Sequence, residues 1–352
     1  MGPRQVGKTT LLKSHFTNEN TLWLNGDDPD VRLQLANRPS TFLGKLVEGH
    51  SRIIIDEAQR IENIGLTLKI FHDNFPQLKI IATGSSSFEL ANQINEPLTG
   101  RKWQYTLWPI SLSEMIRHTS ALEESRLLEN RLLYGWYPDV LTQPGKEREI
   151  LQQLADSYLY KDLLTWQDIK KPQKLETLLQ ALAFQVGQQV SYNEIAQMVG
   201  LDQETVVRYI ELLEKAFIVF RLPSFSRNLR NELKKSKKIY FYDVGIRNAV
   251  IKNYSPIGLR QDIGALWENF LIVERLKYKA YHAVFSNDYF WRNRAQQEID
   301  FIEEYNGTIH AYEFKWNPKR KAHFSKSFIN AYPQHTLTTV NRDNYLDFIE
   351  KG

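Results

Sequence analysis

Short apolar runs, each closed by a polar or glycine residue, recur through the first 110 residues: Thr21-Leu22-Trp23-Leu24, Ile53-Ile54-Ile55 and Ile80-Ile81-Ala82. Each is too short for a helix and rich in apolar or β-branched residues, so each predicts a buried strand. The stretches Lys8 to Phe16 and Arg60 to Phe75 between them read as helices. Strands separated by helices predict an α/β core built on a parallel sheet. From Ser111 to about Pro172 the pattern turns helical and leucine-rich, interrupted by Tyr134-Gly135-Trp136-Tyr137-Pro138. It changes again near Gln185, where two short helices flank Val199-Gly200-Leu201 and an apolar strand, Phe217 to Leu222, follows. From about Asp262 a helix leads into strand-like segments around Tyr289 and Tyr312.

The length of 352 residues implies roughly two or three domains at about 100–200 residues each. Composition, 42% hydrophobic and 24% charged, is that of a globular chain. No apolar run approaches the ~18 residues a membrane span needs, and Met1 to Thr10 is polar and glycine-bearing, so neither a membrane partner nor a secretory leader is expected. Cysteine is absent, which excludes disulfides, thiolate zinc sites and a cysteine nucleophile and fits a cytoplasmic location. The net charge of +4 is too mild to mark a nucleic-acid binder, so the distribution of charge carries the information.

Gly2-Pro3-Arg4-Gln5-Val6-Gly7-Lys8-Thr9 fits the phosphate-loop pattern G-x-x-x-x-G-K-[ST] without mismatch, and Thr10 follows in the helix. Glycines let the backbone wrap a phosphate so that successive amides point at its oxygens, and the helix adds the positive end of its dipole. Lys8 is placed to meet the β- and γ-phosphates and the Thr9 hydroxyl to hold Mg²⁺. The expected ATP-binding set is Gly2, Arg4, Gln5, Val6, Gly7, Lys8, Thr9 and Thr10. Ile53-Ile54-Ile55-Asp56-Glu57, an apolar strand ending in two carboxylates, has the form of a Walker B segment. Asp56 would bind Mg²⁺ through water and Glu57 would act as general base on the attacking water. Thr83 and Ser85, at the end of the next strand, are candidate γ-phosphate sensors, Ser85 reading equally as a helix N-cap. Arg101 is either an arginine finger or a surface cation; a finger supplied in trans would require a homo-oligomer. A buried strand is expected to run into the first glycine of such a loop. Only Met1 precedes Gly2, so the N-terminal strand of the core reads as missing.

Ser191-Tyr192-Asn193-Glu194 opens a helix with a capping-box pattern, Gly200-Leu201 turns, and Gln203 to Leu213 forms a second helix with Val206, Ile210 and Leu213 inward. This is helix-turn-helix spacing, with Gln203, Thr205 and Arg208 outward toward DNA. The following run 227–238 holds six cations and one anion between two strands, a wing suited to phosphate contacts through Arg227, Arg230, Lys234, Lys235 and Lys237. Winged helices also dock proteins, so an unknown protein partner is the other reading.

Farther on, Glu298-Ile299-Asp300-Phe301 and Ala311-Tyr312-Glu313-Phe314-Lys315-Trp316 alternate, with Glu313 and Lys315 projecting together from one face and Tyr312, Phe314 and Trp316 from the other. Asp300, Glu313 and Lys315 match the Asp…Glu-x-Lys constellation of restriction-endonuclease-like nucleases, in which two carboxylates hold Mg²⁺ and the lysine orients water. Glu268 resembles the additional metal-binding acid on the first helix of such folds.

The order Gly-Pro-Arg-Gln-Val-Gly-Lys-Thr-Thr, Ile-Ile-Asp-Glu-Ala-Gln (54–59), Thr-Gly-Ser-Ser-Ser (83–87) and Leu-Thr-Gly-Arg (98–101) resembles a family of prokaryotic AAA-type ATPases. Gly135 to Pro138, Tyr158 to Asp162 and Lys238 to Arg247 match it as well. The resemblance implies an ATPase fused to a winged helix and a restriction-endonuclease-like domain. The expected organisation is an ATPase core over 1–110, a helical lid or linker over 111–180, a winged helix-turn-helix over 181–258 and a nuclease-like domain over 259–352. The reading is a Mg-ATP-hydrolysing, DNA-associated protein carrying a metal-dependent nuclease-type site. The alternative is a nucleotide-switched protein-binding module with an inactive nuclease fold.

Overall fold

Ile53, Ile54 and Ile55 are completely buried at the centre of a parallel three-stranded sheet, as a strand covered on both faces requires. The molecule is described by a computed structural model over residues 1–16, 20–84, 98–156, 171–226 and 237–351. It divides into two compact units, residues 1–108 with 215–217, and residues 109–214 with 218–352.

In the first unit, β1 (Thr21–Asn25), β2 (Arg52–Asp56) and β3 (Lys79–Ala82) lie in the order β1-β2-β3, with Leu24 opposite Ile55 and Ile54 opposite Ile81. Parallel strands all end at one edge, so Asn25, Asp56 and Ala82 deliver the residues that follow them to the same place. Helices Lys8–His15, Pro29–Leu35, Ser40–Val47 and Ile64–Asn74 complete the unit. Asp28 caps the second of these by accepting the Asp30 amide at 2.9 Å. Leu35, Leu43, Ile53, Ile55, Ile61, Ile64 and Phe71 form its core. Strand β3 is an edge of the described sheet. The Met1 nitrogen donates to the Tyr105 carbonyl at 2.7 Å, and the Met1 carbonyl accepts from the Leu107 amide at 2.8 Å. The residue ahead of the phosphate loop thus pairs with the extended stretch around 105–107.

The second unit begins with helices Leu112–His118, Ala121–Tyr134, Pro138–Thr142, Glu147–Leu154 and Pro172–Phe184. The full reciprocal capping box lies here, between Ser111 and Glu114. At Ser191 the hydroxyl accepts the Glu194 amide at 3.3 Å and starts the helix Tyr192–Val199. Gly200 ends that helix in the left-handed region (φ 66°), and Gln203–Lys215 follows. Val206, Ile210 and Leu213 are fully buried along its inner stripe. Strands β4 (Gln189–Val190), β5 (Val219–Pro223) and β6 (Lys237–Phe241) pair antiparallel in the order β4-β6-β5.

After the helices Val244–Val250 and Ile263–His282 comes a four-stranded sheet of order β10-β9-β8-β7. Its strands are β7 (Asn287–Arg292), β8 (Glu298–Tyr305), β9 (Thr308–Phe314) and β10 (His335–Val340), antiparallel except for the parallel pair β9–β10. The register shifts between β7 and β8: Tyr289 faces Ile302 while Trp291 faces Ile299. This irregularity turns both Ile299 and Ile302 into one core with Trp291, Ile309, Ala311 and Phe328, which strict alternation forbids. Phe301, Tyr312 and Phe314 pack edge-to-face against Phe348 on the other face. The Phe225 amide donates to the Phe290 carbonyl at 2.7 Å and ties the two sheets of this unit together.

Helix Ile263–His282 buries charge as well as carbon. Arg275 grips Glu303 through two hydrogen bonds of 2.8 and 2.9 Å, and Glu274 accepts from Lys277 and from the Leu112 amide, both at 2.7 Å. A buried ion is tolerated only when paired in this way. Among the described residues no helix is long and apolar enough to cross a membrane.

Candidate functional sites

The phosphate loop is held by backbone conformations that few residues adopt. Gly7, with φ 91°, starts the helix Lys8–His15, and a side chain there would meet open space rather than protein. Gln5 also lies at positive φ, 57°. The Lys8 ammonium turns back into the loop and donates to the Gly2 and Pro3 carbonyls at 2.9 and 2.6 Å. Burial, with some help from Arg4, pulls its pKa down to about 8 against the opposing pull of Glu57 and Asp56. Val6 is buried, whereas Gln5 and Thr10 are exposed and Arg4 is half-buried.

The strand-end edge supplies the rest. Thr9 donates its hydroxyl to Asp56 Oδ2 at 2.6 Å, and Thr83 donates to Oδ1 of the same carboxylate. Glu57 sits beside them at φ 48°, its carboxylate accepting from Gln59 at 2.6 Å. A backbone squeeze fixes that corner: a Cβ on Gly26 would lie 2.3 Å from the Glu57 carbonyl, so β1 passes Glu57 only because residue 26 is glycine. The turn-forming Asn25-Gly26-Asp27 was the signal for it in the sequence. A hydroxyl, a carboxylate and an ammonium converge on an open, glycine-lined turn, and this donor set fits a magnesium-bound triphosphate.

Arg101 does not join them. Its guanidinium pairs with both oxygens of Asp73 at 2.8 and 3.0 Å. Asp73 closes the helix leading into β3, on the strand-start side of the sheet, whereas Asp56 and Thr83 lie at the strand ends. In this arrangement Arg101 forms a surface ion pair away from the strand-end edge. Ser85, Arg227, Arg230, Lys234 and Lys235 lie outside the described residues, as does the stretch 158–162.

A second constellation forms in the other unit. Asp300 on β8 accepts the Phe314 amide at 2.8 Å, and Lys315 reaches Glu313 at 2.6 Å and Asp300 at 3.9 Å. Asp300, Glu313 and Lys315 are thus together. Burial, then the Asp300 charge, pushes Glu313 up to about 7 despite Lys315. Burial opposes the Lys315 charge, yet Asp300 and Glu313 keep its pKa above the ordinary lysine value.

Glu268 is close by but differently engaged. Its Oε1 accepts from the Lys238 ammonium at 2.8 Å and from the Tyr240 hydroxyl at 2.5 Å. Burial, with Asp300 adding, pushes its pKa up to about 7 against the pull of Lys238. Among the described residues no three His, Cys, Asp or Glu side chains gather closely enough to hold a metal. Glu268, expected as a third ligand, is held here by hydrogen bonds from Lys238 and Tyr240. Lys238 is a correction. It ends the basic run in the sequence, yet its side chain is fully buried between Glu268 and Glu298, with Lys237 half-buried beside it.

The helix Gln203–Lys215 presents a mixed outer face. Arg208 is exposed, but Asp202, Glu204 and Glu211 share its surface, and the Thr205 hydroxyl donates to Asp202 at 2.7 Å rather than projecting outward.

Comparison with known proteins adds the following. Residues 1–116 match the model of an AAA domain, residues 125–256 a domain of unknown function (DUF8612) and residues 263–349 another (DUF4143). With the phosphate loop and the parallel sheet, the first match makes the N-terminal core a P-loop fold of AAA type. An uncharacterized protein of Mycobacterium tuberculosis, Rv2008c, is 26% identical over 319 residues, spanning 89% of this chain and 69% of its own length. Uncharacterized proteins of Haemophilus influenzae and Methanocaldococcus jannaschii are each 25% identical over 71% of this chain and over 68% and 61% of their own lengths. The structure of the Aeropyrum pernix ORC1 protein in complex with DNA superposes with a TM-score of 0.32 at 14% identity, over 72% of this chain and 85% of that one. The Vibrio cholerae protein VC1899 gives 0.18 at 12% identity, over 94% and 97%. Both overlaps are too loose to assign a fold.

Proposed function

We propose that this chain binds and hydrolyses Mg-ATP in its first unit and uses its second unit on DNA. The observation that carries the reading is the convergence of Lys8, Thr9, Asp56 and Thr83 at one sheet edge, with Thr9 and Thr83 bonded to the two oxygens of Asp56. In this role Lys8 exchanges its loop carbonyls for phosphate oxygens, and Thr9 with Asp56 holds the magnesium ion. Glu57 takes the proton of the attacking water, with Gln59 fixing its carboxylate. Thr83 senses the terminal phosphate through the shared Asp56. Magnesium contributes charge neutralisation between the phosphates. ATP turnover of the wild type against Lys8→Ala and Glu57→Gln tests this: loss of binding in the first and loss of turnover alone in the second are expected.

In the second unit we read the helix pair with its antiparallel strands as a winged helix-turn-helix, and the helix and sheet that follow as a restriction-endonuclease-like domain. Asp300 and Glu313 are the residues that would hold Mg²⁺, and Lys315 the one that orients water toward a scissile phosphate. Two adjacent carboxylates, one with a raised pKa, fit a hard divalent ion. Mg²⁺- or Mn²⁺-dependent nicking that disappears in Asp300→Ala is the test.

The alternative of a protein-docking module is favoured by a specific feature: Asp202, Glu204 and Glu211 around Arg208 would repel phosphates from the helix meant to enter a groove. DNA affinity that falls steeply with salt supports the first reading, and weak, salt-insensitive binding supports the second.

A further inference from the structure

The carboxylate cluster of the second unit is assembled from more of the chain than the Asp…Glu-x-Lys strands. Strand β6, which belongs to the sheet beside the helix pair, sends Lys238 and Tyr240 into it. The Lys238 side chain is completely buried, and its ammonium touches Glu268 at 2.8 Å and also pairs with Glu298. The Tyr240 hydroxyl meets the same Oε1 of Glu268. Glu313 and Asp300 share the other ammonium, that of Lys315. The two lysines therefore divide the four carboxylates into two pairs, and Arg292 also reaches Glu298, at 3.5 Å. The pairs are unequal in access. Lys315 is 25% exposed and can swing toward solvent, whereas Lys238, at 0%, has nowhere to go.

An ammonium and a divalent cation compete for the same lone pairs, and a buried ammonium with two carboxylate partners is costly to remove because it would leave buried anions unpaired. We propose that Lys238 is a positioning residue, a built-in cation that commits Glu268 and Glu298, so that the cluster takes one divalent ion, at Asp300 and Glu313, instead of two. The proposal rests on the nuclease-type reading of Asp300 and Glu313. It assigns the sheet of the helix pair a part in the site: β6 sets the number of metal ions the neighbouring sheet accepts.

The test is a Mn²⁺ titration of the full, nucleotide-free chain, followed by electron paramagnetic resonance, with Asp300→Asn identifying which ions belong to the cluster. The wild type should hold one Mn²⁺ that Asp300→Asn removes. Lys238→Met should hold two, returning to one in Lys238→Met/Glu268→Gln, and Lys238→Arg should behave as the wild type. Lys238→Met should also melt at lower temperature in EDTA and recover in Mn²⁺, a rescue that a packing role for the lysine would not give. Two Asp300-dependent ions in the wild type, or one in a folded Lys238→Met, overturn the proposal while leaving the metal-site reading intact. Should Lys238→Met not fold, Lys238→Gln takes its place in the same titration, with two Asp300-dependent ions expected and one overturning the proposal. No Asp300-dependent ion in the wild type overturns the metal-site reading and the proposal with it.

Discussion

The two candidate sites are built in opposite ways. The phosphate loop is a contiguous run from Gly2 to Thr9, completed by residues at the ends of two neighbouring strands, and its lysine lies against its own loop carbonyls. The carboxylate–lysine cluster draws on β6, the helix Ile263–His282, β8 and β9, and its buried cation, Lys238, is held by Glu268 and Glu298, far away in sequence. A local loop needs only a few backbone angles to be correct. A dispersed cluster needs the whole unit folded, and it stores electrostatic stress when any member is lost. Mutations should therefore cost function first in the one and stability first in the other.

The largest expected effect is at the loop. Lys8→Ala removes the charge nearest the phosphates and should weaken ATP binding at least ~100-fold, about 2.8 kcal/mol, with little change in melting temperature. Titration with a fluorescent ATP analogue reads this directly. Glu57→Gln should keep that affinity and lower turnover by about 10²–10⁴. Next comes the cluster: Lys238→Met leaves Glu268 with only the Tyr240 hydroxyl and Glu298 with only the Arg292 contact at 3.5 Å, and should cost about 3–5 kcal/mol in urea unfolding, with ATP affinity unchanged in the folded fraction. Equal stability losses at Lys8 and Lys238 would erase the contrast.

Legibility in the sequence follows the same division. The loop, the Asp56 strand end and the period-two pattern around Glu313 and Lys315 could be read because their signals are local. Lys238 could not be, because a lysine closing a basic run looks solvated and its partner Glu268 is 30 residues away. Glu274, Arg275 and Lys277 would likewise be assigned to a helix's wet face, yet all are buried and paired. The register shift opposite Tyr289 broke the alternation along β8, and helices Pro29–Leu35 and Ser40–Val47 are short, each burying a single apolar pair four residues apart, Val31 with Leu35 and Leu43 with Val47. Tertiary partners decided each of these, and no window of sequence contains them.

Acidity separates the sites more gently. The pKa of Lys8 is lowered to about 8, so above that pH the empty loop loses its cation, whereas bound phosphates would restore it. ATP affinity should then fall about tenfold per pH unit above 8, with proton uptake on binding seen by calorimetry in buffers of different ionisation enthalpy. In the cluster the sign is reversed. Glu313 is raised to about 7, so the folded chain holds a proton that the unfolded chain has released, and this contribution to stability is lost as pH rises from about 4.5 through 7. Glu313→Gln should remove its share of that slope and leave the share of Glu268, also raised to about 7, and a flat wild-type profile would remove the electrostatic stress inferred for the cluster.

The smallest effect belongs to Arg101. Its pair with Asp73 is 43% and 40% exposed, and water and salt screen an ion pair that open until it contributes little. Arg101→Ala should therefore melt within about 2 °C of the wild type. Its bearing on function depends on whether a second copy is present. Within one chain the guanidinium is committed on the strand-start side of the sheet, so turnover at high dilution should match the wild type. A turnover that rises with protein concentration in the wild type but not in Arg101→Ala would show the side chain leaving Asp73 to act on a neighbour's nucleotide. Mixing Arg101→Ala with Lys8→Ala would then restore activity, since each copy supplies what the other lacks. Concentration-independent turnover, equal in both proteins, would fix Arg101 as a surface cation and leave the loop site complete within a single chain.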